Sequence, residues 1–298
     1  ERNRPFYIYS ITKVFTAAAV LLLNEEHGPF LDRSVAGLLP ESCLLKAITV
    51  RQLLNHTSGL SDYFASAAYH EAVRNRPENP WPAEELMRVG MSGTPLFAPG
   101  QGWSYSNPGY ALLNRLIEEF SGVSWHVFVD RHLVQPLGLL DTRPFLAADR
   151  EGQLLAGEEP SMEGDFRARY APGWIAPGCL ISTAADIVRF FEALFTGRLL
   201  SEESLAQMTQ TVDVPVPATD GVIPAYGLGL MHGRNDPLGD AYGHGGGGPG
   251  YSTYARCYPA LQGKTFSLCL VVNRSLSSTP FSLADQITGA WIASAGNR

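Results

Sequence analysis

The 298-residue chain has no run of about 18 consecutive apolar residues, so no membrane-spanning helix is expected. The apolar run at residues 14–23 is too short and follows a lysine. No signal peptide is visible. The opening Glu1-Arg2-Asn3-Arg4-Pro5 is not a natural start, so an initiator methionine at least is expected upstream. Basic residues form no cluster. With 22 Lys and Arg against 29 Asp and Glu, a formal charge of -7, the chain is a poor candidate for nucleic-acid binding. Cysteine is sparse: Cys43, Cys179, Cys257 and Cys269 form no CxxC pair and have no metal spacing with histidine. Their apolar neighbours imply four buried thiols, with a Cys257–Cys269 bridge across a hairpin left open. HExxH is absent, and His126 and His132 stand six apart, so no metal site and no cofactor are expected. GxSxG is absent too. Ser58, in His56-Thr57-Ser58-Gly59-Leu60, reads as a helix end and turn. Asn55-His56-Thr57 and Asn273-Arg274-Ser275 match the glycosylation pattern, but they fall in expected secondary structure, where a chance match is the simpler account.

What is present suffices for a large core, since 45% of residues are hydrophobic. A helix is expected from Ser10 or Ile11 to about Glu26, apolar all round and so buried on every side. A short helix over 50–56 follows, then a proline-rich loop at 75–82. Further helices are expected from Pro108 to Ser121, over 125–134, from a Thr183 cap to Phe195, and after Ser201. The period then changes. Residues 226–231, 251–258 and 265–273 read as strands rich in Val, Tyr, Thr and Phe, and a helix over 282–294 closes the chain. The expected class is α+β: one domain over 1–298, with a helical lobe at about 10–210 and an antiparallel sheet lobe at about 221–298.

Three short elements carry chemistry. Ser10-Ile11-Thr12-Lys13 puts a serine and a lysine on one helix face, their Cβ atoms about 5–6 Å apart. Unpaired N–H groups at a helix start favour negative charge. An ammonium held there among apolar neighbours is pushed toward its neutral form, and a neutral amine can take the serine proton. The plain alternative is a capping serine and a surface lysine, which suits an all-apolar helix poorly. In Tyr105-Ser106-Asn107, just before a helix, the phenol can relay a proton. The amide can donate to a substrate carbonyl and accept from lysine. In His244-Gly245-Gly246-Gly247-Gly248-Pro249-Gly250, the glycines lead toward a strand and permit close approach of a substrate backbone. The N–H groups of Ser10 and Gly247 can form an oxyanion hole. A dinucleotide reading of this run fails, because a proline interrupts it and no helix follows.

In order and spacing these elements resemble the serine β-lactamase and penicillin-binding superfamily, in its class C-like branch of β-lactamases, DD-carboxypeptidases, D-aminopeptidases and carboxylesterases. Residues 53–60, 105–110, 136–139 and 178–183 resemble that branch as well. The resemblance implies a β-lactamase-like fold and an acyl-enzyme on Ser10. It implies shared acid–base work by Lys13 and Tyr105, and substrate contacts from Asn107, His244 and Gly246. The family's third motif is usually Lys-Thr-Gly; His244-Gly245-Gly246 in its place is similar to the peptidases and esterases. An ester or amide of a small molecule or short peptide is therefore the expected substrate, with His244 near a substrate carboxylate and binding it better as the pH falls toward 6. A β-lactamase or DD-carboxypeptidase, or a non-catalytic binding relative, are the alternatives. Lys264-Thr265 is a decoy, because Phe266 follows it. By the resemblance the setting is bacterial, periplasmic or cytoplasmic. Only nine residues precede Ser10, where the family has two strands. The apolar strand ending at Val272 reads as a central one, and its outer edge is expected to meet a neighbouring chain, a bound peptide or residues 4–9.

Overall fold

A computed structural model of the chain describes residues 3–39, 45–145, 153–219, 221–276 and 280–295; Cys43 lies outside them. Strand β1 (Phe6–Tyr7) runs through a 3-10 turn at Tyr9–Ile11 into helix α1 (Thr12–His27). Then follow α2 (Val50–Leu54), α3 (Ala67–Asn75), α4 (Ala83–Gly90), α5 (Asn107–Ser121) and α6 (Trp125–Val129). A π-helical stretch, Asp130–Val134, joins α6 to α7 (Gln135–Leu137). After β2 (Arg143–Pro144) and α8 (Phe166–Arg169) come β3 (Leu180–Ser182), α9 (Ala184–Phe195) and α10 (Glu202–Thr209). The last part holds β4 (Val212–Asp213), β5 (Ile223–Tyr226), β6 (Met231–Arg234), β7 (Tyr242–Gly248), β8 (Tyr251–Leu261), β9 (Lys264–Val272) and α11 (Phe281–Ala295). No described helix is long and apolar enough to cross a membrane.

Local chemistry sets the helix ends. The Thr49 hydroxyl accepts from the Gln52 N–H while the Gln52 side chain accepts from the Thr49 N–H, a reciprocal cap that starts α2. Ser106 caps α5, Pro108 fills its first turn, and Gly122 ends it in the left-handed region. Thr183 and Ser201 cap α9 and α10. Helix α1 is buried on all sides from Thr12 to Leu21, and Phe15 stacks on Phe190 of α9 at 3.8 Å. Each large side chain so buried contributes about 1.5–3 kcal/mol, which holds α1 as the central post of the molecule.

The main sheet is antiparallel, in the order β4-β5-β6-β7-β8-β9. Residues 226–231 are not one strand. Tyr226 ends β5 and Met231 starts β6, with the Gly227 N–H donating to the Leu230 carbonyl at 2.7 Å between them. Gly229 makes this turn at φ +77, where a Cβ would lie 2.6 Å from Ala17 of α1. The glycine run does not merely lead into a strand; it is strand β7. A small second sheet, β1-β3-β2, also forms. Phe6 and Tyr7 pair there with Ser182 and Ile181, so residues 4–9 do not meet β9. Strand β9 is covered on both faces: Leu268 packs with Tyr254 and Ala284 of α11, while Cys269 and Val271 pack on the main core. It is nonetheless the last strand of the sheet, not a central one, and among the described residues it pairs with β8 alone. Its apolar run reports two covered faces, not two strand neighbours. Cys257 stands opposite Ser267 and Cys269 opposite Ala255, and both thiols are free. Cys179 is also free and buried, whereas Cys269 is half-buried.

Strand β7 lies against the residues that precede Ser10. A Cβ on Gly246 would sit 2.4 Å from the Ile8 carbonyl oxygen and from Thr253 Oγ1, and one on Gly248 would strike the Tyr9 ring. A Cβ on Gly247 would meet nothing within 4 Å. Gly246→Ala is therefore expected to cost about 1–3 kcal/mol in urea unfolding, and Gly247→Ala less than about 0.5 kcal/mol. Equal losses would show that β7 is not packed this way.

Candidate active site

Ser10 lies in the 3-10 turn that opens α1, half-buried, and Lys13 lies one turn on, only 2% exposed. The turn is anchored from both sides. The Ile8 N–H donates to the Leu180 carbonyl at 3.0 Å, and the Leu180 N–H donates to Thr12 Oγ1 at 3.1 Å. Lys13 Nζ is 3.4 Å from Ser10 Oγ and donates to Asn107 Oδ1 at 2.7 Å. It also sits 4.8 Å from the centre of the Tyr105 ring and 5.4 Å from that of Tyr110. Burial strips the ammonium of water and lowers the Lys13 pKa to about 7, with the Asp62 carboxylate opposing the shift.

Tyr105 and Asn107 reach this point from the segment before α5. The Tyr105 hydroxyl is buried beside the Ser10 hydroxyl, which favours the ionised phenol, yet no hydrogen bond of normal geometry reaches it. Burial dominates and holds the phenol well above its usual range, so Tyr105 stays protonated at neutral pH. His56 fixes the segment: its carbonyl accepts from the Ser104 N–H at 3.0 Å and its Nδ1 from the Ser106 N–H at 3.2 Å. The His56 ring lies 4.3 Å from that of Tyr105. Asn107 is held by Asp62, whose Oδ2 accepts from its backbone N–H at 2.8 Å and from its Nδ2 at 3.0 Å. Nothing in the sequence singles out Asp62; it becomes visible only when residues 62 and 107 meet in space.

Two residues sit differently from their expected roles. His244, expected beside a substrate carboxylate, is fully buried. Its Nδ1 donates to the Gly245 carbonyl at 2.5 Å, and its Nε2 accepts from the Tyr226 hydroxyl at 2.8 Å. Burial, and then the Lys13 charge, lower its pKa to about 3, so no protonation of His244 strengthens anion binding near pH 6. Gly246, expected to meet substrate, is buried against Ile8 and Tyr9, and the close approach it permits is by the chain itself. Gly247, between them and the β-turn, is exposed. Tyr170 and Trp174 pack in the core, the Trp174 indole donating to the Pro77 carbonyl at 3.0 Å.

Ser10, Lys13, Tyr105 and Asn107 thus converge, and the centre is neutral apart from Lys13 and Asp62. Lys13 has a thermodynamic consequence. Its folded pKa lies below its unfolded one, so its stability penalty is fully present below pH 7 and fades as the pH rises toward about 10. By linkage the penalty reaches about 5 kcal/mol, and an Asn107 carbonyl left without its partner returns about 1–3 kcal/mol of it. Lys13→Met should therefore raise the melting temperature at pH 6–7, with the gain shrinking at higher pH. A melting temperature below that of the parent at pH 6 would mean that Lys13 is not a buried, destabilised amine.

Residues 1–287 match the family model described as Beta-lactamase. Penicillin-binding protein 4* of Bacillus subtilis (strain 168) is 32% identical over 271 residues, covering 85% of this chain and 58% of its own. This chain therefore spans little more than half the length of that curated relative. A D-stereospecific amidohydrolase from Streptomyces sp. has a similar structure, with TM-score 0.81 at 31% identity over 92% of this chain and 83% of that one. The octameric penicillin-binding protein homologue from Pyrococcus abyssi gives a TM-score of 0.80 at 26% identity, over 98% of this chain and 67% of its own. With nearly its whole length matched by the family model, the chain belongs to the beta-lactamase family.

Proposed function

We propose that the protein is a serine hydrolase that forms an acyl-enzyme on Ser10 and cleaves an ester or amide in a small molecule or short peptide. One observation carries the reading: a buried lysine whose pKa is lowered to about 7, so that a large share is neutral amine at neutral pH, stands 3.4 Å from a serine hydroxyl at a helix start. Lys13 takes the Ser10 proton as Oγ attacks the carbonyl carbon. The N–H groups of Ser10 and Gly247 hold the developing oxyanion. Tyr105, still protonated, gives its proton to the leaving oxygen or nitrogen and regains one from the Lys13 ammonium. Water then attacks the Ser10 ester. Lys13, an amine again, takes the water proton and passes it to Ser10 Oγ as the ester C–O bond breaks, so the acid is released, the serine hydroxyl is restored and Lys13 returns to its amine. Asn107 binds the substrate carbonyl side and holds Lys13. The D-stereospecific amidohydrolase among the structural relatives supports amides as one substrate class. A β-lactamase reading is weaker, because the third-motif position carries a buried neutral His244 and no ammonium for a lactam carboxylate.

A fluorophosphonate or an activated ester should leave one adduct on Ser10, read by mass spectrometry, and Ser10→Ala should lose at least about 10³-fold in rate. Lys13→Arg should be nearly inactive, because a guanidinium keeps its proton. In the parent protein kcat/KM should rise through about pH 7 as Lys13 becomes neutral. A short-chain p-nitrophenyl ester should be turned over faster than nitrocefin. Labelling at another residue, or an active Lys13→Arg enzyme, would remove the assignment.

We also propose self-association across the edge of β9 that no described residue pairs with. Its one-sided pairing and the octameric relative support this reading. Light scattering should then report a mass above the monomer's 32.4 kDa; a monomer at micromolar concentration would reject it.

A further inference from the structure

We propose that Asp62 is a positioning residue for acylation at Ser10, acting through Asn107 to aim the Lys13 amine; this rests on the hydrolase reading above. Asp62 stands just before the 3-10 helix Tyr63–Ala65, and its Oδ1 caps that helix by accepting from the Phe64 N–H at 3.0 Å. Its other oxygen takes both the backbone N–H and the side-chain NH2 of Asn107.

The second pair of bonds decides which way the Asn107 amide points. An asparagine amide carries a donor end and an acceptor end of nearly equal size. An ionised carboxylate only accepts, so Asp62 can take only the NH2 end. The carbonyl end is thereby turned to Lys13, which it meets at 2.7 Å. If the amide were reversed, its NH2 would meet the Lys13 ammonium donor to donor, and a neutral amine would spend on that NH2 the lone pair it needs for the Ser10 proton. The spacing matters as well. With Asn107 between them, Asp62 attracts the Lys13 ammonium without forming a direct ion pair, and Lys13 can still lose its proton near neutral pH. The other groups facing Lys13 are Ser10, the Tyr105 and Tyr110 rings, His56, His244 and the Cys179 thiol. Those facing Asp62, besides Lys13, are the phenols Tyr63, Tyr69 and Tyr105. Burial and the Lys13 charge keep both histidines neutral; burial also raises the Asp62 pKa, while the Phe64 and Asn107 N–H groups and the Lys13 charge oppose that shift and favour the carboxylate.

Asp62→Ser tests the assignment. Serine is as good a helix cap as aspartate, so the cap to Phe64 survives while the charge and the grip on Asn107 are lost. The chain has three lysines, Lys13, Lys46 and Lys264, so a pH titration of the ¹³Cε-lysine signals by NMR resolves Lys13 directly, without turnover. Lys13 should titrate lower in Asp62→Ser than in the parent, by at least about half a pH unit. The burst rate of acylation by a p-nitrophenyl ester should fall at least about tenfold. Asp62→Asn, which leaves an NH2 where an acceptor is needed, should behave alike and carries the test if the serine variant does not fold. A merely structural Asp62 would lower stability and leave the Lys13 titration in place. An unmoved Lys13 titration, or a burst rate within twofold of the parent, overturns the assignment. Should the parent protein take no acyl group at all, the hydrolase reading fails, and the Lys13 titration alone decides whether Asp62 controls the amine.

Discussion

The structure around Ser10 depends on one constraint, the removal of a lysine ammonium from water. Lys13 is placed in a stretch of helix that is buried on all sides from Thr12 to Leu21, which leaves it only 2% exposed. Desolvation is the largest influence on it, and the single nearby carboxylate is held one residue away. Had Asp62 touched Lys13 directly, the pair would have locked the ammonium in its charged form. A neutral amide between them gives a hydrogen bond without a full opposite charge. The same burial acts on the neighbours. His56 and His244 are kept neutral, and Tyr105, Tyr110 and Tyr226 are kept protonated, so the polar groups nearest the amine carry no charge of their own.

Holding these groups requires backbone conformations that side chains seldom adopt. Tyr9, immediately before Ser10, has φ +47, and His56 has φ +63. Both are fully buried and both are tied down: the Tyr9 hydroxyl donates to the Pro249 carbonyl, and His56 grips the Ser104–Ser106 segment. Non-glycine residues in this region cost about 1–3 kcal/mol each and persist only where packing over-determines them. One strained residue fixes Ser10, and the other fixes the segment that bears Tyr105. The glycines of β7 complete the clamp, because Ile8 and Tyr9 can come this close only where no Cβ intervenes.

What could be read in the sequence follows from the range of each interaction. Helix caps act over three residues, so Thr183 and Ser201 mark their helices without any tertiary information. The Ser10–Lys13 pairing is equally local. The α+β class was legible in the switch from helical period to β-rich segments. The small sheet β1-β3-β2 was not, because strands of two or three residues carry no period to detect. The 226–231 segment misleads for another reason: Gly227 and Gly229 make a turn against Ala17, a contact set by α1 some two hundred positions earlier. The apolar side chains of β9 reveal its two covered faces, but strand order is a property of the assembled sheet. Asp62 and the burial of His244 lay beyond reach for the same reason, since each is defined by partners distant in the chain.

The buried histidine bears on how negative charge is handled in the proposed reaction. His244 has a single acceptor lone pair, which the Tyr226 hydroxyl occupies, and its one N–H is given to the Gly245 carbonyl. It therefore has nothing left to offer a substrate, and its role is to brace β7 against Tyr226. Among the described residues the only cation at the centre is Lys13, and in the proposed reaction it must lose its proton to act as base. When the oxyanion forms, the proton taken from Ser10 makes Lys13 an ammonium again, so positive charge appears beside the oxyanion as the oxyanion develops. In the resting site above about pH 7, by contrast, substrate in the proposed reaction meets a mostly neutral amine and backbone N–H groups. Such a site favours the transition state over a ground-state anion, because the attraction grows only as the reaction proceeds.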